Sequence, residues 1–378
     1  MVYFINYRIY RYAILNDEQK IAFDHIIEHV DSIDLATTPK CFFLHGPAGT
    51  GKTFVYNTIA NYVRGQGKIV LCVASSGIAA LLLTGGRTSH SRFSIPIKID
   101  ESSMCFIPMQ SILGELINNT ALIIWDEVPM QDKLCFEAVD RTFRDVRATD
   151  SLFGGIPVIL GGDFAQIPPV VKHGNRSRIV NASIRQSYIW SQTEVLFLRT
   201  NMRIRSLSEN SVHYKDWLRE ITYTPEFQNT KIQLPDYIYS TTSIDDLINR
   251  VYPPEILQDP LRYSHQLFKS AILSTRNDTV DVLNNRVLNA MRGDMVDLIS
   301  ADSVLASSDT GDELFQMSPE YLQTLNPNNF PPSRLSLKVG SIVVLLRNFN
   351  PKKGLCNGTR MIIRAIREFS IMVAVLKE

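Results

Sequence analysis

The sequence predicts an α/β protein built on a parallel β-sheet that is covered by helices. Short apolar runs alternate along the chain with stretches of helical pattern. These runs are continuously apolar, as in strands buried on both faces of a sheet. A glycine-rich turn, Gly46 to Thr53, lies between the first run and a helical stretch. With 378 residues, 45% of them apolar, the chain is long enough for two or three domains of about 100–200 residues each.

The first predicted element is an amphipathic helix from Asn16 to Ile33. Apolar residues recur at helical spacing, and Asn16 with Gln19 forms a capping box. Five strands are then predicted, at "CFFLHG", "KIVLCVAS", "TALIIWDE", "IPVILGGD" and "EVLFLRT". Helices are predicted from Gly51 and through Ala80, after the first and second of these strands.

The pattern loosens after Thr200, where the chain becomes polar and proline-rich. A strand is predicted to resume at "SAILSTRN", with a helix after it, and residues 302–334 are predicted to form a loop or insertion. From about residue 335 the pattern changes to short β segments. Gly354 and Asn357-Gly358 are turn signals within this tail.

Composition narrows the class of protein. Lys and Arg total 39 and Asp and Glu total 38, so any nucleic-acid surface has to be local. The five cysteines form no C-x-x-C pair, which favours free thiols in a reducing compartment. No signal peptide or membrane-spanning run is apparent, and we expect no membrane partner.

The turn after the first strand fits the phosphate-binding pattern G-x-x-x-x-G-K-[ST]. Its backbone N–H groups and the helix that follows favour phosphate binding. Lys52 is expected to reach the β- and γ-phosphates of ATP, and Thr53 is expected to ligate Mg²⁺. The predicted nucleotide-binding residues of the turn are Gly46, Pro47, Ala48, Gly49, Thr50, Gly51, Lys52 and Thr53.

Two later strands end in polar residues at the same predicted sheet edge. The strand "LIIWDE" ends in Asp126 and Glu127. Asp126 is expected to hold Mg²⁺, and Glu127 is expected to take a proton from the attacking water. "VILGGDFAQIPPVV" delivers Gln166, whose uncharged amide can bond both the γ-phosphate and that water. The alternatives are an exposed acidic pair and a plain loop amide.

The segment "HIIEH", His25 to His29, fits the H-x-x-E-H zinc pattern. On the predicted helix, His25, Glu28 and His29 face away from the apolar stripe. We therefore expect a solvated surface and no zinc site.

Seven segments together resemble the petite-integration-frequency (PIF) helicases of superfamily 1. They occur in order as "LNDEQ", "GPAGTGKT", "ASSGIAALLLTGGRTSHSRF", "IIWDEVPM", "GGDFAQIPPV", "LFLRTNMR" and "GLCNGTR". The stretch "IVNASIRQSYIW" followed by "NMR" is most similar to the helicase region of Helitron transposons. The resemblance covers about residues 14–365.

This resemblance implies two RecA-like P-loop NTPase domains that bind ATP and Mg²⁺. It also implies 5′-to-3′ movement on single-stranded DNA and action at duplex junctions. Gln19 would contact the adenine, and Arg203 in "NMR" would reach the γ-phosphate, where a fixed positive charge stabilises the transferring phosphoryl group.

The resemblance assigns DNA contacts to the segment from Ala74 to Phe93. Ser75, Ser76, Thr88 and His90 would contact phosphates and sugars, and Phe93 would stack on a base. The alternative is that the serines cap the following helix and that Phe93 belongs to the core.

The tail resembles the family's small β-barrel, where Lys352, Lys353 and Arg360 would track the DNA backbone. The predicted domains are an N-terminal extension (1–11), a first RecA-like domain (12–204, with an insertion at about 91–118), an incomplete second RecA-like domain (205–334) and a truncated barrel-like module (335–378).

The sequence also departs from the family pattern, because the family's later Lys-Ser-Gln-Gly segment and a late arginine do not appear. This predicts a truncated helicase that binds ATP but hydrolyses it weakly and unwinds poorly. A DNA-binding transposon remnant and a P-loop ATPase that acts on protein are the alternatives. Family resemblance predicts a nuclear role in DNA repair, recombination, telomere maintenance or transposition.

Overall fold

A computed structural model describes residues 11–31, 41–203, 209–224, 227, 231–301, 331–347, 349–350 and 353–376. The chain divides into two compact units, Met1–Leu234 and Pro235–Glu378. The division falls later than the predicted boundary near residue 205. No helix in the described ranges combines the length and apolar character that a membrane crossing requires.

The first unit contains a six-stranded, fully parallel sheet. Its strands are β1 (Cys41–His45), β2 (Ile69–Ala74), β3 (Arg87–Thr88), β4 (Thr120–Asp126), β5 (Val158–Gly162) and β6 (Thr193–Phe197). They lie in the order β3-β2-β4-β5-β1-β6. The five strands predicted from apolar runs are confirmed, and the short β3 was not predicted.

Helices pack on both faces of this sheet. The described helices of the first unit are α1 (Asp17–Asp31), α2 (Lys52–Gly65), α3 (Gly77–Leu82), α4 (Ser89–Phe93), α5 (Ile112–Asn118), α6 (Lys133–Val146), α7 (Arg176–Ala182) and, after the sheet, α8 (Glu209–Tyr223). The capping box of α1 is confirmed, since the Gln19 N–H donates to Asn16 Oδ1 at 2.9 Å and the Asn16 N–H donates to Gln19 Oε1 at 3.1 Å.

Neighbouring residues of each strand point to opposite faces, so the sheet separates two cores. Phe42 and Leu44 pack with α1 and α2 on one face, whereas Phe43 packs with α6 on the other. Trp125 is fully buried in this second core. Because both faces of the four central strands (β1, β2, β4 and β5) are buried, these strands read as continuous apolar runs.

The described residues of the second unit form four helices and two small antiparallel sheets. Its elements are α9 (Ile244–Val251), α10 (Pro254–Gln258), α11 (Ser264–Lys269), α12 (Asn277–Ala290), β7 (Val296–Ile299), β8 (Arg334–Leu337), β9 (Ile342–Val344), β10 (Arg360–Arg367) and β11 (Ser370–Val375). β7 pairs with β8, and β10 lies between β9 and β11. The β character of the tail is confirmed.

Four sequence interpretations require correction. "SAILSTRN" forms no strand, although the helix after it is present as α12. Ile21, placed in the apolar stripe of α1, is 68% exposed. His25 and His29 are half-buried against the Phe42 ring and not fully solvated. No cluster of metal-ligating side chains occurs in the described ranges.

The fourth correction concerns Arg360. Its guanidinium donates to the backbone oxygens of Leu267, Phe268 and Ser270 at 2.7–3.0 Å. It is therefore occupied in holding β10 against α11 and is not free to track a DNA backbone. Lys353 is exposed, and Lys352 lies outside the described residues.

Candidate nucleotide site

The phosphate loop connects β1 to α2, in the strand-turn-helix context that the motif requires. Gly49 and Gly51 have φ angles of 89° and 84°, which favour glycine. A side chain at Gly49 would meet the Asn201 amide, and one at Gly51 would meet Gln19 Nε2. These glycines therefore provide both the turn and room for its neighbours.

Lys52 lies within the curve of the loop, with its Nζ atom 2.6 Å from the Gly46 carbonyl oxygen. The Thr50 hydroxyl donates to the Pro47 oxygen at 2.9 Å and closes the turn. Thr53 is half-buried in the first turn of α2. An ammonium group beside the amide-rich start of a helix suits the binding of phosphate.

Gln19 is buried beneath the loop, and its Nε2 donates to the Thr50 oxygen at 3.0 Å. The same side chain closes the capping box of α1, so both ends of its amide are bonded within the protein. Gln19 thus ties α1 to the phosphate loop. Its predicted contact with adenine stays a prediction.

A second segment braces the loop from the other side. Asn201 Nδ2 donates to the Ala48 oxygen at 3.1 Å, and the Met202 N–H donates to the Gly49 oxygen at 2.8 Å. Asn201 Oδ1 also accepts from the Arg203 N–H at 2.9 Å. Arg203, whose side chain is exposed, therefore directly follows two residues that hydrogen-bond to the phosphate loop.

The two predicted carboxylates stand at the end of β4. Asp126 is 3% exposed, and its Oδ1 accepts from the Glu127 N–H at 2.9 Å. Burial, with the nearby Glu127 charge, raises the pKa of Asp126 to about 6, against the opposing influence of that N–H group and Lys52. Glu127 is half-buried and adopts a left-handed backbone conformation with φ of 56°.

Gln166 reaches the same edge from the loop after β5. Its Nε2 donates to Asp163 Oδ2 at 3.3 Å, and its N–H donates to the Asp163 backbone oxygen at 3.1 Å. Gln166 is exposed, whereas Asp163 is 5% exposed. Asp163, which sequence reasoning missed, holds the amide in place. Its position three residues before Gln166, directly after a strand, was the available signal.

An open groove of about 240 Å³ joins this edge to the predicted DNA segment. Glu127, Asp163 and Gln166 line one part, and Ser76 and Ile78 at the start of α3 line another. The structure therefore brings Glu127 and Gln166 together with one predicted DNA-contacting residue.

The residues predicted to contact DNA differ in their exposure and in the hydrogen bonds that their side chains make within the protein. Ser76 caps α3 by accepting from the Ala79 N–H at 3.3 Å, and His90 is exposed. Thr88 is half-buried at the end of β3. Ser75 is half-buried, and its hydroxyl donates to Gln131 Oε1 at 2.9 Å.

The prediction for Phe93 is wrong. This side chain is fully buried between Trp125 and Phe143, with ring centroids 5.4 and 5.3 Å away. It anchors α4 to the core and presents no face to a base. The core alternative, considered from the sequence, is the correct one.

Comparison with known proteins places the chain in a family. The model of the PIF1-like helicase matches residues 14–230, and that of the DNA helicase Pif1 2B domain matches residues 320–366. The ATP-dependent DNA helicase Pif1 of Psychrobacter is 26% identical over 343 residues, which are 88% of this chain and 45% of that protein. The PIF1 helicase of Candida albicans is 28% identical over 350 residues, covering 92% and 34%. This chain thus spans less than half the length of either relative.

Solved structures show the same fold. A Bacteroides Pif1 helicase in complex with ADP-AlF3 and ssDNA superposes with a TM-score of 0.61 at 23% identity, covering 96% of this chain and 72% of that one. The Pif1 helicase from Candida albicans gives 0.59 at 24% identity, covering 93% and 69%. The RecA-like P-loop fold and the family model over more than half of the sequence lead to one conclusion: the chain belongs to the PIF1-like helicase family.

Proposed function

We propose that this chain is an ATP-dependent DNA helicase that moves 5′ to 3′ on single-stranded DNA and opens duplex junctions. The observation that carries the proposal is the convergence of Lys52, Asp126, Glu127 and Gln166 at one sheet edge, with the Asn201–Arg203 segment bonded to the phosphate loop. The names of the relatives, ATP-dependent DNA helicases, support it.

In this proposal the loop N–H groups and Lys52 bind the phosphates of ATP. Glu127 orients the attacking water and accepts its proton. The Gln166 amide, held by Asp163, bonds the terminal phosphate and the water without repelling either. Arg203 supplies positive charge to the phosphoryl group in the transition state.

The residues present also fit a magnesium ion. The Thr53 hydroxyl and the Asp126 carboxylate are oxygen ligands of the kind that Mg²⁺ prefers, and a cation would offset the cost of burying Asp126 as an anion. Asp126 and Thr53 would hold the ion, which would neutralise phosphate charge.

The DNA partner is proposed on two grounds. The groove beside Glu127 and Gln166 continues to Ser76, and solved relatives are described as bound to ssDNA or acting at forked dsDNA. We further propose a nuclear role in repair, recombination or telomere maintenance. Kinship with Helitron helicases, supported by "IVNASIRQSYIW", makes transposition the alternative setting. Truncation of the helicase stays a prediction.

The test is to measure ATP turnover of the full chain with and without single-stranded DNA, with Lys52→Ala as the inactive control. The same samples are then given forked duplexes with a 5′ or a 3′ tail. Stimulation by DNA with slow strand separation from the 5′ tail is the expected result, in keeping with the weak hydrolysis and poor unwinding predicted from the sequence. ATP turnover that DNA stimulates without strand separation favours a degenerate helicase fragment. ATP turnover that is the same with and without DNA favours an ATPase acting on protein.

A further inference from the structure

A buried amide outside the predicted site, that of Gln131, joins three strands of the sheet. It is 6% exposed. Its Oε1 atom accepts from Ser75 Oγ at 2.9 Å, Ser89 Oγ at 3.1 Å and Trp125 Nε1 at 3.3 Å. The indole N–H can only donate, which identifies the facing amide atom as the oxygen.

Each donor stands where a different strand ends. Trp125 is the residue before Asp126 in β4, Ser75 follows β2, and Ser89 follows β3. The ladder continues past β2, since the Ser75 N–H donates to the Asp126 oxygen at 3.1 Å. One amide oxygen therefore contacts the carboxylate strand and both strands of the predicted DNA segment.

Gln131 is also tied to Glu127 through the backbone. The two residues bracket a single 3₁₀ turn, Val128–Met130. The Met130 N–H donates to the Glu127 oxygen at 3.4 Å, and the Gln131 N–H donates to the Val128 oxygen at 3.1 Å. Glu127 itself has the constrained φ of 56°, so a shift of Gln131 reorients it through a short, stiff connection.

The hydrogen bonds around the Gln131 oxygen can rearrange, because the Ser75 hydroxyl has a second acceptor nearby. A carbonyl oxygen offers two lone pairs, yet three donors converge on this one. The Ser75 hydroxyl also lies 3.5 Å from the Asp126 backbone oxygen. A hydroxyl can rotate between acceptors, so a phosphate near Ser75 competes for this hydroxyl and leaves Gln131 with two partners.

We propose that Gln131 is a positioning residue that couples binding of a polynucleotide backbone at Ser75 and its neighbours to the placement of Glu127 against ATP. This inference rests on the proposed function. It assigns the coupling to the hydrogen bonds that join the ends of β2, β3 and β4 at Gln131. This role is separate from the proposed contact of Gln166 with the γ-phosphate.

The test compares binding with and without nucleotide, so it does not depend on hydrolysis. The affinity of the full chain for fluorescent oligo(dT) is measured with and without a magnesium complex of a non-hydrolysable ATP analogue. The ratio of the two dissociation constants is the coupling factor, about 10-fold in the wild type within the usual range of such effects. Analogue binding without DNA is measured separately.

Gln131→Leu removes the acceptor at similar size, and Gln131→Glu keeps an acceptor oxygen. We expect the leucine variant to bind the analogue alone within about 3-fold of wild type, but its coupling factor to fall below about 2. The glutamate variant is expected to keep most of the coupling. An unchanged factor in Gln131→Leu overturns the proposal.

Ser89→Ala provides a second route if thermal melting shows that Gln131→Leu does not fold. It removes one buried donor and is expected to change the coupling factor by at least about 2-fold, because the Ser75 hydroxyl is then held more strongly. An unchanged factor there also overturns the inference. A wild type that binds the analogue and DNA without coupling overturns the inference alone, whereas a wild type that binds no analogue refutes the proposed function itself.

Discussion

At the scale of single residues, the buried carboxyl of Asp126, the proposed magnesium ligand, lowers the stability of the metal-free protein at neutral pH. Its carboxyl is almost fully buried at the end of β4, and its pKa is raised to about 6. A carboxyl with a raised pKa binds a proton more tightly in the folded state than in the unfolded state. Its contribution to stability is therefore complete below the unfolded pKa and is lost as the pH rises through about 6.

Asp126→Asn should therefore stabilise the metal-free protein at pH 7.5. The asparagine keeps the acceptor for the Glu127 N–H but carries no charge, and the gain is about 3 kcal/mol in the free energy of unfolding. Urea denaturation in EDTA measures it. The gain should shrink below about 1 kcal/mol near pH 4. Asp150→Asn, an exposed control, should change stability by less than about 0.5 kcal/mol at either pH.

Glu127→Gln should separate chemistry from binding. The amide keeps the size of the side chain but cannot accept a proton, so ATP turnover should fall by about 100-fold or more. Nucleotide affinity should stay near that of the wild type, because the phosphate loop is untouched. Steady-state turnover and equilibrium titration measure the two effects. Turnover within about 3-fold of wild type would remove Glu127 from the role of general base.

At the scale of elements, α4 depends on the aromatic ring at its end. Phe93 inserts between Trp125 and Phe143, and Phe93→Ala should lower the free energy of unfolding by about 3–5 kcal/mol. Phe106, 75% exposed in the segment between α4 and α5, is the matched control. Phe106→Ala should have little effect on urea unfolding. Equal effects of the two variants would contradict the anchoring role of Phe93.

The connection between β6 and α8 braces the phosphate loop, and Asn201→Ala should test that brace. Losing the hydrogen bond to the Ala48 oxygen should weaken nucleotide affinity by about 3- to 10-fold, in keeping with a net hydrogen-bond contribution of about 1 kcal/mol. Asn201→Asp keeps the acceptor for the Arg203 N–H but loses the donor to Ala48. If the aspartate variant binds nucleotide like the wild type, the contact with Ala48 does not support the loop.

At the scale of the whole molecule, the first unit contains every described residue proposed to contact ATP, from Gln19 to Arg203. Both hydrophobic cores described above also belong to it. Residues 1–234 alone should therefore fold and bind a non-hydrolysable ATP analogue within about 3-fold of the full chain, since domains with their own core fold independently. Circular dichroism and titration test this. A folded fragment without nucleotide affinity would place an essential contact in the second unit.

The sequence predicted the parts of the structure that depend on local chemistry. The phosphate loop is recognisable because its glycines and flanking elements are contiguous, and the strands because burial on both faces makes them uniformly apolar. "SAILSTRN" has only a short apolar run, Ala271 to Leu273, and it pairs with no strand among the described residues, so its prediction failed. Phe93 was misassigned because an aromatic residue in a polar stretch fits base stacking as well as core packing.

The residues that the sequence did not reveal act through distant neighbours. Gln131 matters because three strands end beside it, and Asn201 matters because the chain returns to the phosphate loop. Gln131 lies outside the quoted segments, and the "NMR" segment assigned a role to Arg203 but none to Asn201. Their roles follow from strand order, which local periodicity does not specify.

The order of the strands also fixes the distance between the proposed contacts with ATP and the proposed contacts with DNA. β1, which leads into the phosphate loop, and β2, which leads to Ser75, are separated by β5 and β4, three spacings or about 14 Å at the usual strand separation. The crossover segments after β2 and β5 can lengthen or diverge without altering this interval. Under the proposed function, related proteins can thus acquire new preferences for the DNA strand while the distance from the ATP phosphates to the DNA contact stays constant.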